Sequence, residues 1–152
     1  MASQRLKNYL DNHNVYYEVI SHPIAFSALQ LCEVSHIPSK KMAKTVICKT
    51  TNDLFMVVIS AHDQVNLEEL KKLIGTPVVL ATEEEFSGAF PDCEVGAMPP
   101  FGNLYDMDVY VSEDLVHGSE IAFNAGNHSE LYKMQYKDYE KLVHPKIIHT
   151  QH

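Results

Sequence analysis

The stretch AKTVICKTTNDLFMVVIS, residues 43–60, constrains the fold of this chain more than any other segment. It contains two runs of β-forming residues separated by TTND, the pattern of two strands joined by a short turn. The second run, Leu54 to Ile59, is apolar at every position, whereas a strand with one face in water alternates apolar and polar residues. We therefore predict a β-hairpin whose second strand is buried on both faces at the centre of a sheet.

Four further segments begin with a helix-capping residue and continue with apolar residues at helical spacing. The capping residues are Ser3, Ser27, Asn66 and Thr82, whose side-chain oxygens can accept a hydrogen bond from a free backbone N–H of the first turn. The last three are each followed three residues later by Gln or Glu, as in a capping box. We predict four helices at these places, the second ending before Pro38, and a final helical turn over residues 136–143.

Short runs of β-forming residues predict the remaining strands, at residues 15–20, 77–81, 104–111, 120–126 and 130–134. About seven strands mixed irregularly with helices do not show the regular alternation of a doubly wound sheet. We predict a mixed α+β fold whose sheet curls toward a barrel. A length of 152 residues and a hydrophobic content of 45% predict one domain spanning residues 1–152.

Composition excludes several classes of function. No run of about 18 apolar residues is present, and the first residues are too polar for a secretory signal, so we expect a soluble cytoplasmic protein that does not bind membranes. A formal net charge of -8 argues against wrapping DNA or another long nucleic acid, although it permits contact with one nucleotide end. Cys32, Cys48 and Cys93 lack a C-x-x-C pair, and His144, His149 and His152 form no H-E-x-x-H motif, so we expect neither a metal nor a cofactor.

The sequence lacks the G-x-S-x-G, G-x-x-x-x-G-K-[ST] and G-x-G-x-x-G signatures of common hydrolases and nucleotide-binding proteins. Four polar motifs remain at expected strand ends and loops: SHP at 21–23, KT at 44–45, GAMPP at 96–100 and AGNHSE at 125–130.

Each of these motifs has a functional and a structural interpretation. Lys44 could point into a cavity and meet a phosphate or carbonyl oxygen, or it could be a solvated lysine beside a strand. Gly96 could let a substrate approach backbone N–H groups that bind an oxyanion, or the loop could be a simple turn. His128 and His22 could bind substrate or lie in ordinary loops.

Taken together and in this order, the motifs resemble the YbaK/prolyl-tRNA synthetase-associated domain family. The resemblance covers roughly residues 15–135 and depends on SHP, on AKTVICK with its lysine, on the G-x-x-x-P motif that continues into PFG, and on FNAGNHSEL. It implies a barrel-like sheet surrounded by helices. It also implies trans editing, the hydrolysis of the ester between a wrong amino acid and the 3′ acceptor end of a tRNA, with prolyl-tRNA synthetase as an expected partner.

The resemblance also implies the roles of individual residues. Lys44 would hold the terminal phosphate or orient the ester, the Gly96 to Pro100 backbone would face the carbonyl, and His128 would help to seat the aminoacyl group. The expected substrate-binding residues are His22, Phe26, Ser27, Ile47, Ala97, Met98, Pro99, Pro100, Phe101, Gly102 and Gly126.

The size of the pocket is expected to select the amino acid, because a bulky residue would be excluded by steric clash. The histidine in AGNH favours alanine on proline tRNA, with serine and cysteine as further substrates. Ser27, where many relatives have threonine, and GAM between the glycine and the prolines depart from the family pattern and leave this specificity open. The alternative is a non-catalytic module that binds tRNA or a nucleotide in the same pocket.

Overall fold

The computed structural model describes residues 3–149, which form six α-helices and eight β-strands. The helices are α1 Gln4–Asn12, α2 Ala28–Ser35, α3 Leu67–Ile74, α4 Glu83–Phe86, α5 Glu113–Val116 and α6 Tyr136–Val143. The strands are β1 Tyr17–Ser21, β2 Ala43–Lys49, β3 Leu54–Ser60, β4 Val79–Leu80, β5 Val109–Ser112, β6 Glu120–Asn124, β7 Glu130–Gln135 and β8 Lys146–Ile148.

The predicted hairpin is the centre of a five-stranded sheet with the order β4-β2-β3-β5-β8. Strands β2 and β3 are antiparallel, with Lys44 opposite Ile59, while β5 runs parallel to β3 and to β8. Six of the seven residues of β3 are buried, because neighbouring strands flank it and apolar side chains cover both of its faces. The expectation of a strand buried on both faces is confirmed.

A second, three-stranded antiparallel sheet has the order β1-β7-β6. It joins distant parts of the chain, since Tyr17 pairs with Met134. An isolated parallel bridge between Met42 and Ala122 brings the start of β2 beside β6. The mixed α+β class is confirmed, with the strands divided between two sheets; closure into a barrel stays a prediction.

The predicted helix caps are formed by the expected side chains. The oxygens of Ser3, Ser27, Asn66 and Thr82 accept hydrogen bonds from backbone N–H groups of the first turns. Thr82 and Glu85 form a complete capping box. In α2 the Gln30 side chain instead accepts from the N–H of Phe26, one residue before the cap, so it fixes the loop that leads into the helix.

Three features near the C-terminal half differ from the sequence prediction. Strand β5 begins at Val109 rather than residue 104, because the Gly102 carbonyl accepts from Tyr105 and Met107 N–H groups and holds that segment in a turn. The short helix α5 and strand β8 were not predicted. Both are only three or four residues long, too short to show a hydrophobic period.

Among the helices of residues 3–149, none is long and apolar enough to cross a lipid bilayer. Over the same residues, His, Cys, Asp and Glu side chains form no group of three or more that could hold a metal ion. His152 lies outside the described residues.

Candidate functional site

A cavity of about 350 Å³ opens where the two sheets meet. The start of α2, the start of β2, the 96–98 loop and the end of β6 supply its wall. Four alanines, at positions 25, 28, 43 and 61, leave room that larger side chains would fill. Polar groups reach the same space from Ser27, Lys44, Thr45 and Asn124. The cavity is large enough for a small organic group and offers both apolar and hydrogen-bonding surface.

Lys44, the second residue of β2, lines this cavity. Its side chain is half-buried, and its Nζ donates a hydrogen bond of 2.7 Å to the backbone carbonyl of Asp63. An ammonium group carries three donors, so this bond fixes the direction of the side chain and leaves donors for a ligand. Lys44 can therefore present a positive charge to an oxygen atom in the cavity.

The 96–100 segment forms the opposite wall. Gly96 has a φ of +85°, a left-handed conformation that favours glycine, and its N–H donates to Met98 Sδ over 3.3 Å. The Ala97 N–H donates to the Glu94 carbonyl. The Met98 N–H makes no hydrogen bond within residues 3–149, while Pro99 and Pro100 have no N–H. Met98 thus supplies the uncommitted backbone donor of this loop.

His128 contacts the residues just before that loop and is not part of the cavity lining. Its Nε2 donates to the Val95 carbonyl over 2.8 Å, its backbone N–H donates to Glu94 Oε1, and its ring lies 4.7 Å from the Phe26 ring. The Cε1 atom of the same ring is 3.4 Å from the place where a Cβ on Gly96 would lie. The geometry favours a positioning role for His128; contact with substrate stays a prediction.

A clamp made by Ser3, Gly126 and Glu94 joins helix α1 to this wall. The Ser3 N–H donates to the Ala125 carbonyl, and the Ser3 hydroxyl donates to Asp92. The Gly126 N–H donates to the Ala97 carbonyl, and the Gly126 carbonyl accepts from the Glu94 N–H. The AGNH turn and the Gly96 loop are therefore held together by the backbone.

The SHP segment is tied to the same turn. The His22 N–H donates to the Ser129 carbonyl and the Ala25 N–H donates to the His128 carbonyl. The His22 ring donates to the Pro23 carbonyl and is not in the cavity lining. Phe26 follows at the mouth of the cavity with 73% of its surface exposed, so it forms a lip rather than an inner wall. The four motifs that were singled out in the sequence come together at one place.

Several other predicted site residues lie in supporting positions outside the cavity lining. Ile47 and Phe101 are buried in the main hydrophobic core, where the Phe101 ring packs edge-on against Phe123 and Tyr139. The other members of this group are Ala97, Pro99, Pro100, Gly102 and Gly126. They hold the backbone of the wall, whereas Phe26, Ser27, Lys44, Gly96 and Met98 line the cavity itself.

Tyr139 anchors the proline pair through a buried hydrogen bond. Its hydroxyl donates to the Pro100 carbonyl over 2.7 Å, the side chain is fully buried, and burial raises the pKa of the phenol well above its usual value. We expect Tyr139→Phe to lower the free energy of unfolding by about 1–3 kcal/mol, because the carbonyl loses its partner. Denaturant unfolding measures this, with the exposed Tyr16→Phe as the control expected to behave as wild type. Equal stability of both variants would contradict the anchoring role.

The thiol groups of the chain are poor nucleophiles. Burial raises the pKa of Cys93 and of Cys48 to about 11, and burial also raises that of Cys32. Since the thiolate is the reactive form, these side chains stay protonated at neutral pH. Covalent catalysis by cysteine is therefore disfavoured at this site.

Asn124 and Thr45 lie within the motifs KT and FNAGNHSEL but were not predicted as site residues. Asn124 directly precedes the AGNH motif at the end of β6, and Thr45 directly follows Lys44. A polar residue directly after the apolar run of residues 121–123 was the available signal for Asn124. The four wall alanines gave no such signal, because alanine is common in any core.

Comparisons with known proteins agree with this geometry. A model of the aminoacyl-tRNA editing domain family matches residues 22–142, which include every motif of the site except the first residue of SHP, Ser21. The Escherichia coli K12 protein named multifunctional Ser/Thr-tRNA deacylase ProXp-y is 26% identical over 155 residues, covering 97% of this chain and 92% of that protein.

Two crystal structures show the same fold. A candidate trans-editing enzyme for prolyl tRNA synthetase superposes with a TM-score of 0.85 at 19% identity, over 99% of this chain and 96% of the other. A hypothetical protein superposes with a TM-score of 0.85 at 16% identity, over 95% and 97% of the two chains.

Proposed function

Because this chain belongs to the aminoacyl-tRNA editing domain family, we propose that it hydrolyses in trans the ester between a small noncognate amino acid and the 3′ end of a tRNA. The observation that carries the proposal is the meeting of Lys44, the Gly96–Met98 loop and an alanine-walled cavity of about 350 Å³. We further propose that residues 1–152 act as one editing domain in the cytoplasm.

The chemistry requires little beyond positioning and charge stabilisation. An aminoacyl ester is already activated, so hydrolysis needs a held carbonyl, stabilisation of the tetrahedral oxyanion, and an attacking water or ribose hydroxyl. We assign the Met98 N–H as a donor to the oxyanion and Lys44 as the cation that orients the ester or the terminal phosphate. His128, Val95 and Glu94 would keep the loop in the conformation that presents these donors.

The mouth of the cavity suits the end of a tRNA. Phe26 is 73% exposed and Leu29 is 59% exposed, and both border the opening. An exposed aromatic ring beside a pocket can stack on a nucleobase, here the terminal adenine, independently of the rest of the nucleic acid. Contact limited to the acceptor end is compatible with the net charge of -8. Prolyl-tRNA synthetase is the proposed partner, in line with the description of one structural neighbour.

We propose alanine, serine and cysteine as the amino acids that are removed and proline tRNA as their carrier; a cavity of about 350 Å³ has room for each of these side chains. Alanine was favoured by resemblance, whereas the named E. coli relative acts on Ser- and Thr-tRNA. Alanine, serine and threonine all have small side chains that the alanine-lined wall can accommodate, so the test has to compare them directly.

Incubation of the purified protein with alanyl-, seryl-, threonyl- and cysteinyl-tRNA tests the proposed activity. We expect release of at least one of these amino acids faster than its spontaneous hydrolysis, and no release of proline from its cognate tRNA. Survival of every ester would refute deacylation. If the protein nevertheless bound the tRNA, it would be a non-catalytic binding module.

A further inference from the structure

The side chain of Asn124 has an oxygen without a hydrogen-bond partner. Asn124 lines the cavity and is half-buried, and its Oδ1 is buried yet makes no hydrogen bond within residues 3–149. Buried polar atoms are hydrogen-bonded in the great majority of cases, because leaving one unpaired costs about 1–3 kcal/mol. No hydrogen bond fixes this amide within residues 3–149, so it can rotate and turn either its oxygen or its nitrogen toward a ligand in the cavity.

The fold places Asn124 beside Lys44. The parallel bridge between Met42 and Ala122 sets β2 next to β6, and the Ala122 N–H donates to the Lys41 carbonyl. Lys44 lies two residues after Met42, and Asn124 lies two residues after Ala122. Because side chains two residues apart on a strand point to the same face, Lys44 and Asn124 point to the same side as the bridged pair. Both residues line the same cavity. A group held by Asn124 is therefore close to an ester oriented by Lys44.

We propose that Asn124 is a specificity residue that binds the side-chain hydroxyl of a seryl or threonyl ester, a proposal that rests on the deacylase function above. A carboxamide offers both an acceptor and donors, and a hydroxyl group can pair with either. Rotation of the amide by half a turn exchanges its oxygen and nitrogen, so a hydroxyl is accommodated in both orientations. The methyl group of alanine pairs with neither.

The neighbouring wall strengthens this assignment. The alanines, Leu31 and Met98 offer no oxygen or nitrogen side-chain atom, and the Ser27 oxygen already accepts from the Gln30 N–H. Ser27 and Thr45 carry the other uncharged hydrogen-bonding side chains of the lining, and Thr45, whose oxygen is not used in a helix cap, serves as the comparison. A site built to pair a substrate hydroxyl discriminates against the analogue that lacks it, because its polar groups are then left unpaired.

The test compares kcat/KM for seryl- and alanyl-tRNA of the same proline tRNA, in wild type and variants. We expect Asn124→Ala to reduce the serine-to-alanine ratio about 10- to 100-fold, with hydrolysis of the alanyl ester retained. Asn124→Ser, which replaces the amide by one hydroxyl that can still donate and accept, should lose less of the ratio. Thr45→Val, which has nearly the same shape as threonine, should leave the ratio unchanged. Circular dichroism and thermal unfolding confirm that each variant is folded.

The outcomes separate the possible failures. An equal loss with both esters would show that Asn124 binds the shared α-amino or ester group, or only supports the fold, and would overturn the proposal. An unchanged ratio, or a lower ratio in Thr45→Val instead, would also overturn it while leaving the deacylase function intact. Wild-type protein that hydrolyses no ester would refute the deacylase function and, with it, the role of Asn124.

Discussion

Replacement of Lys44 by alanine is expected to reduce kcat/KM for the preferred aminoacyl ester by about 100- to 1000-fold, the range for loss of one fixed group that orients the reacting ester or stabilises its charge. Lys44 brings a positive charge into the cavity, and the 2.7 Å hydrogen bond from Nζ to the Asp63 carbonyl holds that charge in a fixed direction. Single-turnover deacylation over a series of protein concentrations measures kcat/KM at the subsaturating end and the chemical step at saturation. Retention of the wild-type rate would remove Lys44 from the mechanism.

Two variants distinguish the charge from the bulk of this side chain. Lys44→Met keeps an unbranched apolar chain of similar length, so it should fold normally and show the same loss of rate as the alanine variant. Lys40→Ala removes an exposed lysine that is not in the cavity lining and should leave the rate unchanged. If Lys44→Met were active, packing rather than charge would explain the effect of the alanine variant.

The Gly126→Ala substitution is expected to lower the free energy of unfolding by about 2–4 kcal/mol. Gly126 has a φ of +104°, and a Cβ at this position would lie 3.0 Å from both the Cβ and the backbone nitrogen of Ser3. The substitution therefore adds a steric clash to an unfavourable backbone conformation. Because Gly126 also bonds to Ala97 and Glu94, deacylation should decline together with stability.

Gly75→Ala is the matched control for this effect. Gly75 has a similar φ of +91°, but a Cβ there would meet no atom within 4 Å. Its loss of stability measures the backbone strain alone, and the excess in Gly126→Ala measures the contact with Ser3. Denaturant unfolding of both variants gives the two values. Equal destabilisation would mean that Ser3 and the start of helix α1 shift to accommodate the added methyl group at little cost in free energy.

The parts of the fold that are formed by residues close together in the sequence were predictable from it. The hairpin of β2 and β3 and the helix caps at Ser27, Asn66 and Thr82 follow from local patterns, and the structure confirms them. The pairing of Tyr17 with Met134 was not predictable, because no local signal specifies a partner more than a hundred residues away. The division of the strands into two sheets depends on that pairing.

For the site, sequence motifs identified the segments better than the individual side chains. Lys44, Gly96 and Met98 line the cavity, whereas Ile47 is in the core and the His128 ring donates to the Val95 carbonyl. A motif indicates that a loop matters, whereas the direction of each side chain depends on packing between elements. Asn124 shows the same limit, since its unpaired oxygen is visible only in three dimensions.

The pairing of β1 with β7 also determines when the pocket can exist during folding. Contacts between residues far apart in sequence form late, because a long loop has to close before they are gained. A molecule that had formed only the β2–β3 hairpin would contain Lys44 but would lack two walls of the cavity, the 22–31 segment and the end of β6. The 22–31 segment is held in place by hydrogen bonds to Ser129 and His128, which are close to β7 in the chain. During synthesis, β1 has to wait until β7 has left the ribosome. Deacylase activity is therefore expected to arise only late in folding, and a nascent or partly folded chain is expected to be unable to hydrolyse aminoacyl-tRNA.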